Sequence, residues 1–528
     1  MLAAQPVKAR PVSEGFEPMA SFILRRLLVS VLIIIAASFL MYMLVAYSAD
    51  PLQDLRASNS PNKTQLINAR IQLLQLDVAP PLRWLLWLGG AAKCLIPFAN
   101  ACDLGSTISN AKVVDILPQA LTSTVQLVTV ALILAILLGV TIGIVTALRQ
   151  YSGLDNVVTF LSFFLYSLPA FLVAVLLKEF VAIGFNNFLA SPTIPWWLAV
   201  LIGLVAGLIW QSLIGGDMRR RAITFAVSGV ATAGVLLLMS ATNWFLHPGL
   251  GPVVMIILIA AAVVGATALT AGLQNRRALI SAAITGAVSL VCYFALQPLF
   301  DVSTVGTIVI LAIVAIIVSL AIGFFVGGYD RGQNMRVAVI VAIVSGFLIV
   351  VDRFMQAWPT YFQDTNGRPI ATVGSSTPGL EGDMWVNGLD TFTHLLLPTI
   401  ALLLISFASY TRYSRAGMLE VLNQDFIRTA RAKGLPERTV VVRHAFRNML
   451  IPITTLVAFD VGALLGGAII TEKVFAIPGM GSLFYAGLFR GDLNPVMAYF
   501  VIIAVMAILF NFLADLAYAA LDPRVRVR

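Results

Sequence analysis

Charged residues are scarce in this chain of 528 residues, where Asp, Glu, Lys and Arg together make up 11% of the sequence and hydrophobic residues make up 59%. The mean hydropathy is +0.93. A soluble protein of this composition would need a core too large for its polar surface to cover. Repeated apolar runs of about 20 residues, enough helix to cross about 30 Å of hydrocarbon, instead predict a membrane protein.

Cysteine and histidine are almost absent, with three of each. His247, His394 and His444 have no mutual spacing typical of a metal site, and the sequence contains no Cys/His cluster and no hydrolase-type nucleophile elbow. We therefore predict no metal site and no catalytic residue. Cys94 and Cys102 lie in a segment that would permit a disulfide if it faces an oxidising compartment, and two free thiols are the alternative.

The sequence also lacks the Gly-Lys dipeptide that a phosphate-binding loop of the Walker type requires. We therefore predict that this chain binds no nucleotide and no cofactor of its own. Its net charge of +9 would suggest nucleic acid in a soluble protein. Here the Lys and Arg residues fall in short loops and termini, as membrane orientation requires, so no nucleic-acid partner is predicted.

Twelve apolar segments are predicted to cross the bilayer as helices, which makes the fold class all-α and polytopic. They cover residues 22–47, 121–148, 157–183, 196–214, 222–244, 253–273, 278–296, 305–326, 337–354, 394–410, 449–471 and 496–521. The first run could be a signal peptide, but its uninterrupted length favours a retained helix. The ninth is the weakest, because its apolar core is short.

Alternate short loops carry Arg, and the loops between them do not. Basic loops follow the second, fourth, sixth, eighth and tenth predicted spans, whereas the loops at 248–251 and 297–303 hold neither Lys nor Arg. Because cytoplasmic loops are enriched in these residues, both termini are predicted to be cytoplasmic. Two longer segments, 48–118 and 359–390, are then predicted to lie outside.

Three helical hairpins occupy residues 195–358, and each turns at an Arg-bearing inner loop around Arg221, Arg277 or Arg336. The regular recurrence suggests a triplicated unit. Because this block starts and finishes on the outer side, it could be removed without inverting the helices that follow it.

A polar, basic segment separates two very apolar ones near the end of the chain. Residues 412–447 carry eight Lys and Arg against Glu420, Asp425 and Glu437. The stretch 428–452 reads RTARAKGLPERTVVVRHAFRNMLIP, which predicts two short amphipathic helices joined at Gly-Leu-Pro. Such a shape can dock in a partner's groove. The alternative is a solvated basic loop that only sets the topology.

The run TARAKG at 429–434 resembles the coupling loop of permease subunits in ATP-binding-cassette importers, in the version found in the dipeptide and oligopeptide branch. Arg428 stands where the general pattern has glutamate, and Pro452 comes later than its closing proline. Further similar motifs occur in family order: FILRRLL at 22–28, SLPAF at 167–171, EKVFAIPGMG at 472–481 and NFLADLAYAALDPRVR at 511–526.

The resemblance implies a six-helix permease core of the type I importers, formed by residues 1–192 and 359–528 and interrupted by a six-helix insert at 193–358. It implies a coupling loop at 412–448 that docks on an ATPase. Expected partners are two ATP-binding-cassette subunits or domains that bind ATP and Mg, a second permease, an extracytoplasmic solute-binding protein and the lipid of an inner or plasma membrane. The implied function is import of peptides or similar solutes.

Two sets of site residues follow. For the ATPase contact we predict Asp425, Arg428, Ala430, Arg431, Lys433, Gly434 and Arg438. For the translocation path or an outer gate we predict Asp460, Glu472, Phe475, Pro478 and Gly479. Asp460 could face a water-filled cavity or pair with another helix. The loop after residue 471 could be an ordinary reversing loop that turns at Pro478-Gly479.

The main alternative is a self-sufficient 12-helix secondary transporter driven by an ion gradient. It would predict two homologous six-helix halves and coupling carboxylates at mid-depth, whereas this chain has a triplicated insert and Asp460 as its one clear carboxylate candidate. A membrane scaffold or lipid-modifying enzyme would need clustered acids, histidines or nucleophiles, which the sequence does not show.

Overall fold

The computed structural model describes residues 19–94 and 102–521. Within these ranges the regular structure is helical, apart from one isolated β-bridge between Ser106 and Lys112. The predicted all-α class is confirmed.

The chain folds into 21 α-helices, one short 3₁₀ turn and two π-helical turns in the described ranges. The helices are α1 (Met19–Ser48), α2 (Gln53–Ala57), α3 (Lys63–Leu73), α4 (Pro80–Lys93), α5 (Val113–Leu148), α6 (Gly153–Ser167), α7 (Ala170–Leu176), α8 (Gly184–Leu189), α9 (Trp196–Ile214), α10 (Met218–Ala241), α11 (Gly251–Thr270), α12 (Arg276–Ala295), α13 (Gln297–Asp301), α14 (Val305–Val326), α15 (Arg331–Asp364), α16 (Met384–Leu422), α17 (Asp425–Ala432), α18 (Glu437–Thr439), α19 (Phe446–Val474), α20 (Met480–Arg490) and α21 (Leu493–Leu521). The π-helical turns, Leu177–Ile183 and Val440–Ala445, lead directly into α8 and α19.

Eleven of the described helical segments are long and apolar enough to cross a membrane. They correspond to the predicted spans except the one at 449–471. That span falls in α19, which has 29 residues and so is about 43 Å long at 1.5 Å per residue. The chain is therefore a polytopic membrane protein.

The predicted third span, 157–183, is not a single helix. α6 ends at Ser167 and Leu168 is extended, with φ −78° and ψ 130°. Pro169 disfavours helical geometry in the residue before it, because its ring collides with that residue's backbone. The apolar stretch that can cross the membrane here starts later, at Ala170.

The compact unit formed by Met1–Phe171 and Thr399–Arg528 contains α1 to α6 and the helices from α17 onward. One buried cluster joins α5 to the segment after α16, and another joins α1, α4 and α21 around Tyr42 and Trp84.

The other compact unit, Leu172–Pro398, includes the predicted insert. The apolar core of the predicted ninth span, 337–354, stops before Asp352 and Arg353, and both residues lie buried inside α15. Asp352 accepts hydrogen bonds from the Tyr293 hydroxyl (2.8 Å) and the Leu250 N–H (2.8 Å), and Arg353 pairs with Asp301. Since buried charges are tolerated when they are paired, α15 runs on for 34 residues.

Candidate functional site

The segment after α16 folds as a helix that ends in a tight turn. Leu435 N–H donates to Ala430 O (3.4 Å) and Gly434 N–H donates to Arg431 O (2.9 Å), which is the hydrogen-bond pattern of a Schellman motif. These bonds satisfy carbonyls that a helix end otherwise leaves free. Pro436 then precedes α18 in an extended conformation. The structure thus contains the predicted first helix and turn, but the second helix is not short, because α18, the π-helical turn and α19 continue without a break from residue 437 to residue 474.

Gly434 is the residue that makes this turn possible. Its φ is +73°, in the left-handed region that a side chain with a Cβ adopts at a cost. No atom lies within 4 Å of the position that a Cβ would occupy. The requirement for glycine is therefore conformational, and the space beside it is open to another molecule.

The inner face of α17 is apolar. Ile427 is fully buried and Ala430 is 7% exposed. Both belong to a buried cluster with Met418, Ala445 and Met449, to which α5 also contributes. The Ala430 side chain, predicted as a docking contact, therefore points into the protein and holds α17 against the long helices.

The other residues predicted for docking are exposed, and we call them the docking surface: Asp425, Arg428, Arg431, Lys433, Gly434 and Arg438. Arg431 forms two hydrogen bonds with Glu437, at 2.6 and 3.1 Å, across the turn. This contact lowers the pKa of the Glu437 carboxyl. The pair braces the turn, and the surface stays predominantly cationic.

α16 connects this surface to the membrane. Residues 399–422 alone make about 36 Å of helix, longer than the hydrocarbon layer, so the polar end of α16 extends beyond it. Arg415 on this end donates to both carboxylate oxygens of Asp155, at 2.7 and 2.9 Å, and the contact lowers the pKa of the Asp155 carboxyl. Arg412 lies 4.0 Å from the ring centre of Tyr166. α6 is thereby fastened to α16.

The ion pair of Asp155 and Arg415 was missed in the sequence. Asp155 follows Ser152, whose hydroxyl accepts its N–H at 3.2 Å, so locally it belongs to an ordinary helix start. Its partner is 260 residues away in the sequence. No spacing rule relates two residues so far apart.

α5 and α16 approach each other closely where two glycines line α5. A Cβ on Gly139 would lie 2.6 Å from the Tyr410 Cβ, and a Cβ on Gly143 would lie 2.7 Å from the Ser414 Cβ. Small residues four apart allow membrane helices to pack backbone against backbone. This crossing lies beside the buried cluster that holds α17.

At the other end of α19, Glu472 is fully buried. Its carboxylate accepts hydrogen bonds from the Thr124 hydroxyl (2.6 Å) and the Ser482 N–H (2.8 Å), and the Thr124 hydroxyl oxygen accepts the Met480 N–H at 2.8 Å. Glu472 therefore fastens the loop after α19 to α5. Its partner Thr124 was not predicted, because it lies 348 residues earlier.

The remaining residues predicted for an outer gate occupy different environments. Phe475 is 2% exposed, and Gly479 lies so close to Glu472 that a Cβ would come within 2.4 Å of its carboxyl group. Pro478 is exposed. The loop is thus packed against the chain through its buried residues and offers Pro478 at its surface. A gate role for these residues stays a prediction.

Asp460 is partly buried in α19 and interacts electrostatically with the Tyr410 hydroxyl of α16. Tyr410 is fully buried. The role of Asp460 stays a prediction.

Cys94 and Cys102 are bonded to each other, with their Cα atoms 4.2 Å apart. In the described part of the chain, no three His, Cys, Asp or Glu side chains are grouped so that they could hold a metal ion.

Comparison with known proteins identifies the class to which this arrangement is similar. Residues 333–527 match the family model described as "Binding-protein-dependent transport system inner membrane component". The match contains α16, α17 and α19 and begins within α15.

Individual relatives narrow the likeness to the peptide branch. The chain is 46% identical over 155 residues to the oligopeptide transport system permease protein OppB of Mycobacterium tuberculosis, covering 29% of this chain and 48% of OppB. It is 44% identical over 140 residues to the dipeptide transport system permease protein DppB of Escherichia coli, covering 26% and 41%. For DppB of Bacillus subtilis the identity is 36% over 203 residues, covering 36% and 65%.

The chain thus spans about half the length of the first of these relatives. The predicted resemblance to permease subunits of dipeptide and oligopeptide importers is confirmed for the matched part.

Proposed function

We propose that this chain is a permease subunit of an ATP-driven importer that moves peptides or similar solutes into the cytoplasm. The observation that carries the proposal is the docking surface. This surface is exposed and cationic. The buried face of α17 packs into the same cluster as α5, α16 and α19. The likeness to OppB and DppB permeases supports peptides as the solute class.

The docking surface would fit a groove on an ATP-binding-cassette subunit that binds ATP and Mg. Two such ATPases and a second permease would complete the transporter, because one permease half cannot enclose a path alone. A solute-binding protein would deliver the solute on the outer face of an inner or plasma membrane, with both termini of this chain in the cytoplasm. Differential binding of the ATPases to two conformations would then shift the cavity between outward and inward access.

The packing provides a route for the motion. A displacement of α17 is carried by Ile427 and Ala430 into α16 and α19, because a close-packed cluster does not compress. Arg415 and Asp155 extend the connection to α6. At the far end of α19, Glu472 carries it to α5 through Thr124 and to α20 through the Ser482 N–H. The ionic and hydrogen-bonded contacts therefore lie where helices must move together.

Replacing Gly434 by Asp tests the coupling. The substitution introduces a Cβ at a φ of +73° and a negative charge on a cationic surface, so it should lower solute uptake at least tenfold. ATP hydrolysis by the co-purified ATPases should lose its dependence on solute, whereas docking of the solute-binding protein should remain. Uptake and hydrolysis are measured in proteoliposomes of the complex purified through this chain.

Gly379→Asp is the matched control. Gly379 also has a positive φ, +74°, and a Cβ added to it would have no atom within 4 Å, but it is not on the docking surface. Its variant should transport normally. Normal transport by Gly434→Asp would contradict the proposed contact. Recovery of the chain without any ATPase, combined with uptake driven by an ion gradient, would instead support the secondary-transporter alternative.

A further inference from the structure

A cavity of about 300 Å³ opens beside the end of α1, in the compact unit that also contains the docking surface. It is lined by the last turns of α1, by α2, by the residues that follow α3, by α4 and by the start of α21. Apolar side chains such as Val45, Leu74 and Leu493 form part of its wall, and three charged residues form another part: Asp50, Arg56 and Arg83.

The charges in this cavity do not cancel. Arg56 pairs with Asp50 at 2.9 Å, and the second oxygen of Asp50 accepts the Leu52 N–H at 3.0 Å. Arg83 has no carboxylate partner in the described residues, and its Nε is buried without a hydrogen-bond acceptor. A buried donor without a partner costs free energy, and a guanidinium group costs more than a neutral one. Arg83 therefore leaves an uncompensated positive charge at the wall of the cavity, which favours an anion there.

The helix that carries Arg83 presents its apolar side outward. Leu82, Leu85 and Leu86 of α4 are 58%, 54% and 58% exposed. Their spacing of three and four places them on one face of the helix. An amphipathic helix with an exposed apolar face and cationic residues beside it is typical of a segment lying in the membrane interface.

The opposite face of α4 fixes its depth along α1. Trp84 donates from Nε1 to the Ser38 hydroxyl at 3.3 Å and contacts the Phe39 ring edge to face at 5.0 Å. Ser38 lies ten residues before the end of α1 at Ser48, which is about 15 Å along the helix axis. Leu85 and Leu86 follow Trp84 directly, so this apolar face lies at about the depth of Ser38, where acyl chains surround it, and the headgroups lie nearer the end of α1.

We propose that this cavity binds the phosphate group of a membrane phospholipid, with Arg83 as its main donor. The planar fork of a guanidinium group matches two phosphate oxygens at once. Leu82, Leu85 and Leu86 border the acyl chains of the same lipid, and Val45 and Leu74 face its glycerol region. A soluble phosphate would use the same donor but would gain nothing from the exposed leucines.

Lipid binding to the purified full chain, with any subunits that accompany it, tests the site. Delipidated protein is titrated with dioctanoyl phosphatidylglycerol and, separately, with glycerol 3-phosphate, and bound ligand is counted by native mass spectrometry. We expect the lipid to bind, and Arg83→Gln to weaken its affinity at least tenfold. Arg83→Lys should give an intermediate loss, because lysine keeps the charge without the fork.

Lys93→Gln is the matched control, because Lys93 is an exposed cation on the same helix and does not line the cavity. Its affinity for phosphatidylglycerol should stay within twofold of the unaltered chain. Equal lipid affinity in Arg83→Gln would overturn the proposal. Binding of glycerol 3-phosphate as tight as that of the lipid would assign the cavity to a soluble anion and also overturn it.

A measurement on the unaltered chain covers the case in which the variants do not fold. Phosphatidylglycerol with a photoreactive headgroup is incorporated into nanodiscs with the protein, and labelled peptides are mapped by mass spectrometry. The label should concentrate in peptides from residues 42–56 and 74–94. Labelling spread evenly over the other exposed helix ends would show that no lipid headgroup is held at this site.

Discussion

At the scale of single residues, two helix ends of this chain use the same turn with different residues. Gly434, two residues after α17, is in the left-handed region, and so is Ala476, two residues after α19, at φ +49°. In both turns the next N–H donates to a carbonyl five residues earlier, from Leu435 at 3.4 Å and from Ile477 at 2.8 Å. Alanine carries a penalty in this conformation that glycine does not. The loop beside Glu472 therefore holds a residue that its backbone does not favour.

Replacing Ala476 by Gly should therefore stabilise the protein by roughly 0.5 to 1 kcal/mol, because it removes the penalty of the Cβ at positive φ. The measurement is the thermal unfolding midpoint of the detergent-solubilised chain. Ala476→Ser is the control, since serine keeps the Cβ and should bring no gain. A fall in the midpoint for Ala476→Gly would show that the alanine methyl group contributes more through contacts than it costs through backbone strain.

At the scale of elements, the helix pair α6 and α16 is held by an ion pair and by Arg412, which lies over the rings of Phe163 and Tyr166. The side chain of Asp155 is 3% exposed and that of Arg415 is 28% exposed. Because the pair is largely buried, removing one partner leaves a charge without compensation, which costs more than losing a surface ion pair. Arg412 against Tyr166 adds a second contact on the same face. These contacts connect α6, which precedes Pro169, to the end of α16 that leads into the docking surface.

Asp155→Asn should lower the free energy of unfolding by about 2 to 3 kcal/mol, below the roughly 3 to 5 kcal/mol of a fully buried pair because Arg415 is partly exposed. The contact with Arg415 lowers the pKa of Asp155. Its stabilisation is therefore complete above the ordinary pKa of an aspartate and is lost as the pH falls through the lowered value. Unfolding midpoints measured against pH should decline on acidification in the unaltered chain and less so in the variant.

Asp425→Asn is the control for that measurement. Its pair with Arg428 is exposed, with a separation of 3.5 Å, so the midpoint should hardly change. If the midpoint of Asp155→Asn changed as little as that of Asp425→Asn, the buried ion pair would contribute no more than an exposed one. The solute uptake of Asp155→Asn should also fall if α6 follows the motion of α16, whereas a purely structural pair would change the midpoint alone.

At the scale of the whole molecule, local sequence patterns predicted the helices. The contacts between residues far apart in the sequence could not be predicted from such patterns. The apolar runs and the Gly-Leu-Pro turn depend on neighbouring residues, so the spans and the first helix and turn of the docking surface could be predicted. The break at Pro169 also depends on neighbouring residues, but the segments on both sides of it are apolar, so the sequence was interpreted as one continuous span. The partners of Asp155 and Glu472 lie 260 and 348 residues away, and only the folded chain brings them together.

Buried polar residues explain the weakest prediction. Asp352 and Arg353 resemble the polar end of a span when the sequence is considered alone. In the fold, each has partners from helices that precede it by 50 residues or more, such as Tyr293 and Asp301. A hydropathy pattern assigns a fixed cost to a charged residue, whereas the real cost depends on whether a partner is present.

Orientation is the whole-molecule property that the Arg distribution predicts. It is tested with one added cysteine at a time in a chain in which Cys292 is replaced by Ser and Cys94 and Cys102 are bonded to each other. Lys433→Cys lies on the docking surface and Val302→Cys lies in a loop without Lys or Arg, where Val302 is 77% exposed. A membrane-impermeant maleimide should label Val302→Cys in intact cells, and should label Lys433→Cys only after the cells are permeabilised. Three predicted spans separate these positions, so they should lie on opposite sides, and one inverted result would require an even number of crossings between them. Labelling of Lys433→Cys in intact cells would place the docking surface outside, where no ATPase could reach it, and the proposed coupling would then be untenable.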